Sequence, residues 1–228
     1  MSRPPRQTQQ RTTPGAPRAA RRWLIAALAC MAVFLAASLE LRAGGAGLGA
    51  FDAAVAGWLR AWRTPENTLM AIDLTALGSS AVVTLVTLVC CALFALRRDA
   101  WAVAHIAVAS AGAGVLTRLL KHYFERPRPA DLPPLAQSLG SSFPSGHTVM
   151  ATALYLTFAV LACRVFQRRH ERAAVFGVAL LVIALVGATR VYLGVHHPSD
   201  VLAGAAVGSA WACLLAAAIG HRPLSRSG

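Results

Sequence analysis

The sequence predicts an all-α, polytopic membrane protein with six transmembrane helices and both termini in the cytoplasm. Three observations carry that prediction: a composition too apolar for a soluble domain, six uncharged runs of spanning length, and arginines grouped on alternate connections. Of the 228 residues, 56% are hydrophobic and 14% charged, against roughly 25% charged in an ordinary soluble domain. The uncharged runs cover 23–39, 74–96, 100–117, 143–163, 173–189 and 201–220, each near the roughly 20 helical residues that cross a hydrocarbon core. None alternates with period two, so helices rather than barrel strands must satisfy the backbone in lipid.

Residues 1–22, "MSRPPRQTQQRTTPGAPRAARR", are rich in Pro, Thr, Gln and Arg without periodicity, which predicts a disordered basic cytoplasmic tail. Joined to the first apolar run, this stretch imitates a signal peptide and Arg21-Arg22 a twin-arginine signal. The run is longer than the 7 to about 15 residues of a signal core, so it reads as a span. A membrane domain then fills 23–220, and 221–228 form a second short cytoplasmic tail. Six arginines precede the first run. Arg97 and Arg98 follow the second, Arg164, Arg168, Arg169 and Arg172 the fourth, and Arg222 and Arg226 the sixth. The positive-inside rule makes that side cytoplasmic. The formal charge of +13 is thus spread by topology and not gathered into an aromatic-laced patch, which argues against nucleic acid as a partner.

Between the first two runs, "GGAGLGAFDAAVAGWLRAWRTPEN" spaces its apolar residues helically and carries Trp58 and Trp62, predicting an amphipathic helix on the outer surface. The five cysteines, Cys30, Cys90, Cys91, Cys163 and Cys213, all lie inside apolar runs without metal-ligand spacing and read as packing residues. Nothing in the sequence sets an oligomeric state.

The polar chemistry is concentrated in the outward connections. "KHYFERPRP" carries Lys121, the chain's one lysine, and Arg128 seven residues later. "PSGH" spans 144–147. "TRVYLGVHHPSD" carries Arg190, His196 and Asp200. Pro144 suits the first position of a helix, which would leave the N–H groups of Ser145, Gly146 and their successors free to bind an anion. Gly146 permits close backbone approach. A lone basic residue at a helix end is ordinarily a snorkelling anchor, but Lys121, Arg128 and Arg190 on one face beside a helix start supply three cations for phosphate oxygens. His196 and Asp200 are four residues apart around Pro198, so the carboxylate can hold one ring nitrogen and leave the other as a nucleophile. His147, on another segment, can donate a proton. His105, His122 and His197 have no such partner in the sequence.

These blocks, Lys-x6-Arg-Pro, Pro-Ser-Gly-His and Arg-x5-His-x3-Asp, resemble the signature of the type 2 phosphatidic acid phosphatase superfamily, the lipid phosphate phosphatases, in its bacterial membrane branch. The match runs through Lys121, Arg128, Pro129, Pro144, Ser145, Gly146, His147, Arg190, His196 and Asp200. It departs at Thr189, where the family pattern has serine. The resemblance implies His196, His147 and Asp200 as catalytic residues, Lys121, Arg128, Ser145, Gly146 and Arg190 as phosphate-binding residues, and a phosphohistidine intermediate. It implies neither a metal nor a cofactor. The expected substrate is a lipid phosphate or pyrophosphate reached among membrane lipids from the periplasmic or extracellular face of the bacterial inner membrane. Undecaprenyl pyrophosphate is the first choice, with phosphatidylglycerophosphate or phosphatidate hydrolysis, or lipid phosphotransfer, as alternatives. A vanadium-type haloperoxidase shares the site pattern on soluble proteins, and a non-catalytic membrane protein would not need an intact site.

Overall fold

Eight helices and no strand make up residues 16–130, 133–166 and 168–219, the part described by this computed structural model. They are α1 (Ala16–Arg42), α2 (Ala46–Arg60), α3 (Pro65–Ala76), α4 (Ser80–Leu96), α5 (Ala100–Phe124), α6 (Gly146–Ala162), α7 (Arg169–Tyr192) and α8 (Pro198–Ile219). Local signals start several of them. Thr64 caps α3, with Pro65 in its first turn; Ser79 caps α4; Asp99 caps α5. Each side-chain oxygen accepts an N–H that the first turn cannot satisfy internally.

α1 begins inside the stretch expected to be disordered, so residues 16–22 are helical. Ala19, Ala20, Arg21 and Arg22 are strong helix formers continuous with the apolar run. Residues 1–15 of that expected tail, and the short tail expected at 221–228, lie outside the described residues.

α1, α5, α7 and α8 are long and apolar enough to cross a membrane, and α3 with α4, bent by 44° at a short break, would add a fifth crossing. The fourth expected span is the shorter apolar helix α6, of 17 residues. Many large apolar side chains face outward and alanines fill much of the interior, as packing between membrane helices allows. Leu28 and Leu119 are 70% and 64% exposed, whereas Ala102, Ala109, Ala113, Ala153 and Ala203 are fully enclosed.

The central seam is α6 against α8, with α1 packed along α8. Phe34, Phe143, Val149, Ala203 and Val207 form one cluster there, and the rings of Phe34 and Phe143 stack at 5.9 Å. A second cluster, Val83, Ile106, Leu154 and Leu161, joins α4, α5 and α6. The C-terminal ends of α5 and α7 consequently meet the N-terminal ends of α6 and α8 at one end of the bundle. α7 ends on Gly194 at φ +72°, where an added Cβ would come within 2.7 Å of the Arg63 side chain; only glycine combines that backbone with that space.

Candidate active site

All the residues singled out in the three blocks lie at this end. Lys121 leaves the last turn of α5, and its Nζ donates to the Ser141 carbonyl at 2.5 Å. Arg128 comes back from the α5–α6 connection. Its Nε donates to the Gly140 carbonyl at 3.1 Å, its Nη1 to Val195 at 2.5 Å and its Nη2 to Leu139 at 2.9 Å. Arg128 thus pins two loops together and is not turned wholly toward a ligand. Arg190, buried at the end of α7, donates to the hydroxyls of Thr75 at 3.2 Å and Ser138 at 3.3 Å, and its Nε has no partner among the described residues. A buried donor in that condition has hydrogen-bonding capacity to spare.

The helix start differs from its expectation. Ser145 is the N-cap and α6 opens at Gly146, so Pro144 lies outside the first turn. The Ser145 N–H is already engaged, donating to the Asp200 carbonyl at 3.0 Å, because α6 and α8 start side by side. The N–H groups that this start leaves without an intrahelical acceptor therefore begin at Gly146 and His147 and end before Val149, whose N–H donates to the Ser145 carbonyl at 3.0 Å. Ser145 is buried and its hydroxyl accepts from Thr148 at 3.1 Å.

Asp200, in the first turn of α8, is fully buried and holds a crowded set of donors. Its Oδ2 accepts from the Ser142 hydroxyl and from the His197 N–H at 2.8 Å. The His197 ring lies 3.2 Å away and His196 Nδ1 3.5 Å away. His196 Nδ1 is also 3.5 Å from the Ser142 hydroxyl. The carboxylate is within reach of His196, at the long end of a hydrogen bond, and shares itself with three neighbours. Two of the histidines set aside in the sequence do have partners: His197 has Asp200, and His105 meets the Trp101 carbonyl at 3.0 Å. The Thr189 hydroxyl turns back on its own helix, donating to the Val186 carbonyl at 2.7 Å.

Burial holds the His196 imidazole down at about 4, with Asp200 opposing the fall and Arg128 and Arg190 adding to it. At neutral pH this ring is uncharged and keeps a lone pair. Burial also lowers Arg128 from its ordinary value, against the pull of Asp200.

Two of the cavities that reach the cluster carry its histidines. A groove of about 510 Å³ between α4, α5 and α6 is lined by Lys121, Arg118, Gly146 and His147 among small, hydroxyl-bearing and apolar residues. A smaller cavity of about 210 Å³ beside α2 is lined by His196, His197, Arg126 and Asp52. His147 thus opens to one cavity and His196 to the other. Among the described residues no three His, Cys, Asp or Glu side chains are grouped to hold a metal ion.

Four participants escaped the sequence reading. Arg126 bonds Asp200 Oδ1 at 2.5 Å and Asp52 Oδ2 at 2.9 Å. Asp52, from α2, accepts from the N–H and the hydroxyl of Ser199, each at 2.7 Å. Ser142 is the fourth. Ser142 and Arg126 lie within or beside the quoted blocks, and Asp52 is a lone acid among the apolar residues of α2. Those were the available signals.

A family model described as the PAP2 superfamily matches residues 100–223. Phosphatidylglycerophosphatase B of Bacillus subtilis is 40% identical over 96 residues, 41% of this chain and 46% of that protein. Lipid A 1-phosphatase of Rhizobium johnstonii is 36% identical over 129 residues, 52% of this chain and 48% of that protein. The chain spans about half the length of these curated relatives. The crystal structure of a transmembrane PAP2 type phosphatidylglycerolphosphate phosphatase from Bacillus subtilis superposes with a TM-score of 0.77 at 26% identity, over 83% of this chain and 93% of that one. With the family model covering more than half of its length, and the motif residues assembled at one end of the helices, the chain belongs to the PAP2 superfamily.

Proposed function

We propose that the protein is an integral membrane phosphatase that removes phosphate from a lipid phosphate or pyrophosphate through a phosphohistidine. The observation that carries this reading is one cluster holding a buried, neutral His196 beside Asp200, the cations Lys121, Arg128 and Arg190, and His147 at the mouth of the α4–α5–α6 groove. The three cations and the first N–H groups of α6 bind the phosphoryl oxygens. The His196 Nε2 lone pair forms the N–P bond as the bond from phosphorus to the leaving oxygen breaks, and His147 gives that oxygen its proton. Water then attacks the phosphohistidine, returns a proton to His147, and releases phosphate and the free imidazole. No step calls for a metal ion.

Undecaprenyl pyrophosphate is our first choice of substrate. The groove lined by His147 also holds Arg118 and Lys121, so it offers a second cation for the second phosphoryl group, and Leu88, Ala107, Ala111 and Met150 on its walls give an isoprenoid chain apolar contact beside several hydroxyls. Phosphatidylglycerol phosphate is the second reading, favoured by the names of the Bacillus subtilis protein and of the solved structure. We further read six crossings, counting the bent pair α3–α4 and the short α6. Both termini then lie in the cytoplasm and the site faces the periplasm or exterior of a bacterial inner membrane, an orientation supported by the arginine distribution.

The test is phosphate release by the purified protein from a panel of lipid phosphates, in detergent with EDTA. Undecaprenyl pyrophosphate should turn over fastest, and vanadate, which adopts the five-coordinate geometry of phosphorus under attack, should inhibit. Acid-labile, base-stable radiolabel from a phosphorus-labelled substrate should be trapped on the wild type and be missing from His196→Ala. Release that stops with EDTA and returns with magnesium would sink the mechanism. A faster rate on phosphatidylglycerol phosphate would replace the first choice with the second.

A further inference from the structure

Resting on that reaction, we infer that Asp52 of α2, acting through Arg126, is a positioning residue that orients Asp200 and sets the net charge behind His196. Asp52 stands in a helix whose neighbouring positions are Phe51, Ala53, Ala54 and Val55, yet its side chain is only 6% exposed. Both of its oxygens are engaged. Oδ1 accepts from the Ser199 N–H, so an acid on one helix caps the first turn of another. Oδ2 accepts from the Ser199 hydroxyl and from Arg126 Nη2. Arg126 Nη1 donates in turn to Ser199 Oγ at 2.8 Å and to Asp200 Oδ1 at 2.5 Å. One guanidinium fork therefore bridges two buried carboxylates, and it grips the Asp200 oxygen opposite the one that serves Ser142, His197 and His196.

Docking α2 onto α8 does not require this. An uncharged cap would satisfy the Ser199 N–H, and a buried ion pair is often no more stable than apolar packing of the same volume. What the arrangement provides is charge balance. Were Asp200 alone with Arg126, the pair would be neutral. With Asp52 included, two carboxylates and one guanidinium leave one negative charge beside an imidazole that becomes cationic as its nitrogen attacks phosphorus. That charge favours the transition state over the ground state. The other groups facing His196 are Ser142 from the α5–α6 connection, Arg128, Arg190 from α7 and His147 from α6. Asp52 shares its cavity with Arg60, Arg63 and His197.

The experiment compares wild type, Asp52→Asn, Arg126→Gln and the double variant as monodisperse protein in detergent, reading kcat, KM and the pH profile of kcat/KM on a lipid phosphate that the wild type hydrolyses. Asp52→Asn should lower kcat about ten- to a hundredfold with KM within about twofold, the size of one charge acting across the site. Losing a negative charge makes His196 less basic, so the acid limb should move down by about half a unit to one unit. Arg126→Gln loses a positive charge and should move it up. The double variant, with wild-type net charge, should return the limb to its original place. A purely structural tether would not give opposite signs. Should Asp52→Asn fail to stay monodisperse, Arg126→Gln and the double variant carry the same sign test. Wild-type activity with profiles that superimpose, or with both single variants shifting the limb in one direction, overturns this inference alone. A wild type inactive on every lipid phosphate overturns the reaction and this inference with it.

Discussion

His196 and His147 sit in the same cluster, and the roles proposed for them, attack on phosphorus and proton donation to the leaving oxygen, assign them different deficits. Removing the attacking atom in His196→Ala should abolish turnover for every substrate. Removing a proton donor in His147→Ala should cost a factor of about 10² to 10⁴, and only where the leaving group needs a proton. A lipid alkoxide is strongly basic, whereas p-nitrophenolate leaves without help, so His147→Ala should recover much of its rate on p-nitrophenyl phosphate. Equal losses on both substrates, with aryl activity surviving in His196→Ala, would exchange the two roles. The pH dependence follows from the same ring. Attack needs neutral imidazole, and a value lowered to about 4 extends the neutral range downward, so kcat/KM should hold as the pH falls to about 5 and decline toward 4. An acid limb centred near the ordinary histidine value of about 6.5 would mean that His196 is not desolvated as the geometry indicates.

Between elements, the decisive contact is α6 against α8. Gly204 and Gly208 lie four residues apart on one face of α8, the small-residue spacing that lets helices approach closely in membranes. A Cβ at Gly204 would stand 2.8 Å from the Ser145 carbonyl oxygen, and one at Gly208 2.8 Å from Thr152 Cβ and 2.9 Å from the Val149 oxygen. That closeness is what brings the Ser145 N–H onto the Asp200 carbonyl and seats the first turn of α6 beside Asp200. Gly204→Ala must push the two helices apart where the phosphate would sit. We expect a loss of about 1–3 kcal/mol in stability, as for an overpacked core, with at least about a tenfold fall in kcat because the cradle moves. Gly177→Ala on α7, which meets nothing within 4 Å, is the control and should be neutral or slightly stabilising. Thermal unfolding in detergent and turnover measure both, and indistinguishable variants would mean that the seam yields without cost.

At the scale of the whole molecule, the helices place every motif residue at one end, the end away from Arg97, Arg98, Arg164, Arg168 and Arg172. If the arginine-rich end is cytoplasmic, the site must face outward. A cysteine introduced at the exposed Ala130, in a background lacking the five native cysteines, should react with a membrane-impermeant thiol reagent in intact cells once any outer membrane is permeabilised. Labelling that appears only after lysis would invert the orientation. The bundle also explains how a polar site persists in an apolar chain. Its charges are buried against one another at the ends of four helices, where N-termini, C-termini and returning loops supply hydrogen bonds that the middle of a helix cannot.

The sequence by itself determined the helical class, the apolar runs and the three motif blocks, because these depend on residue type and short spacing. Helical span length, the Pro-Ser-Gly turn and the four-residue step from His196 to Asp200 are all local quantities. The exact start of α6 was not local: Ser145 gives its N–H to the Asp200 carbonyl, a group that a reader of the chain meets fifty-five residues later. Nor could spacing reveal that Arg128 would close on the carbonyls of Leu139, Gly140 and Val195, since any flexible cation takes whatever acceptors the fold brings near. Asp52 is the clearest case. Its helix reads as an amphipathic surface element, and its own periodicity contains nothing of Arg126 or Ser199, which lie 74 and 147 residues away in sequence. Only the packing of α2 over the first turn of α8 buries that carboxylate, and burial forces a charged group to find partners. Tertiary structure therefore decided which polar residues share charges and hydrogen bonds, because long-range partners are chosen by the path of the whole chain.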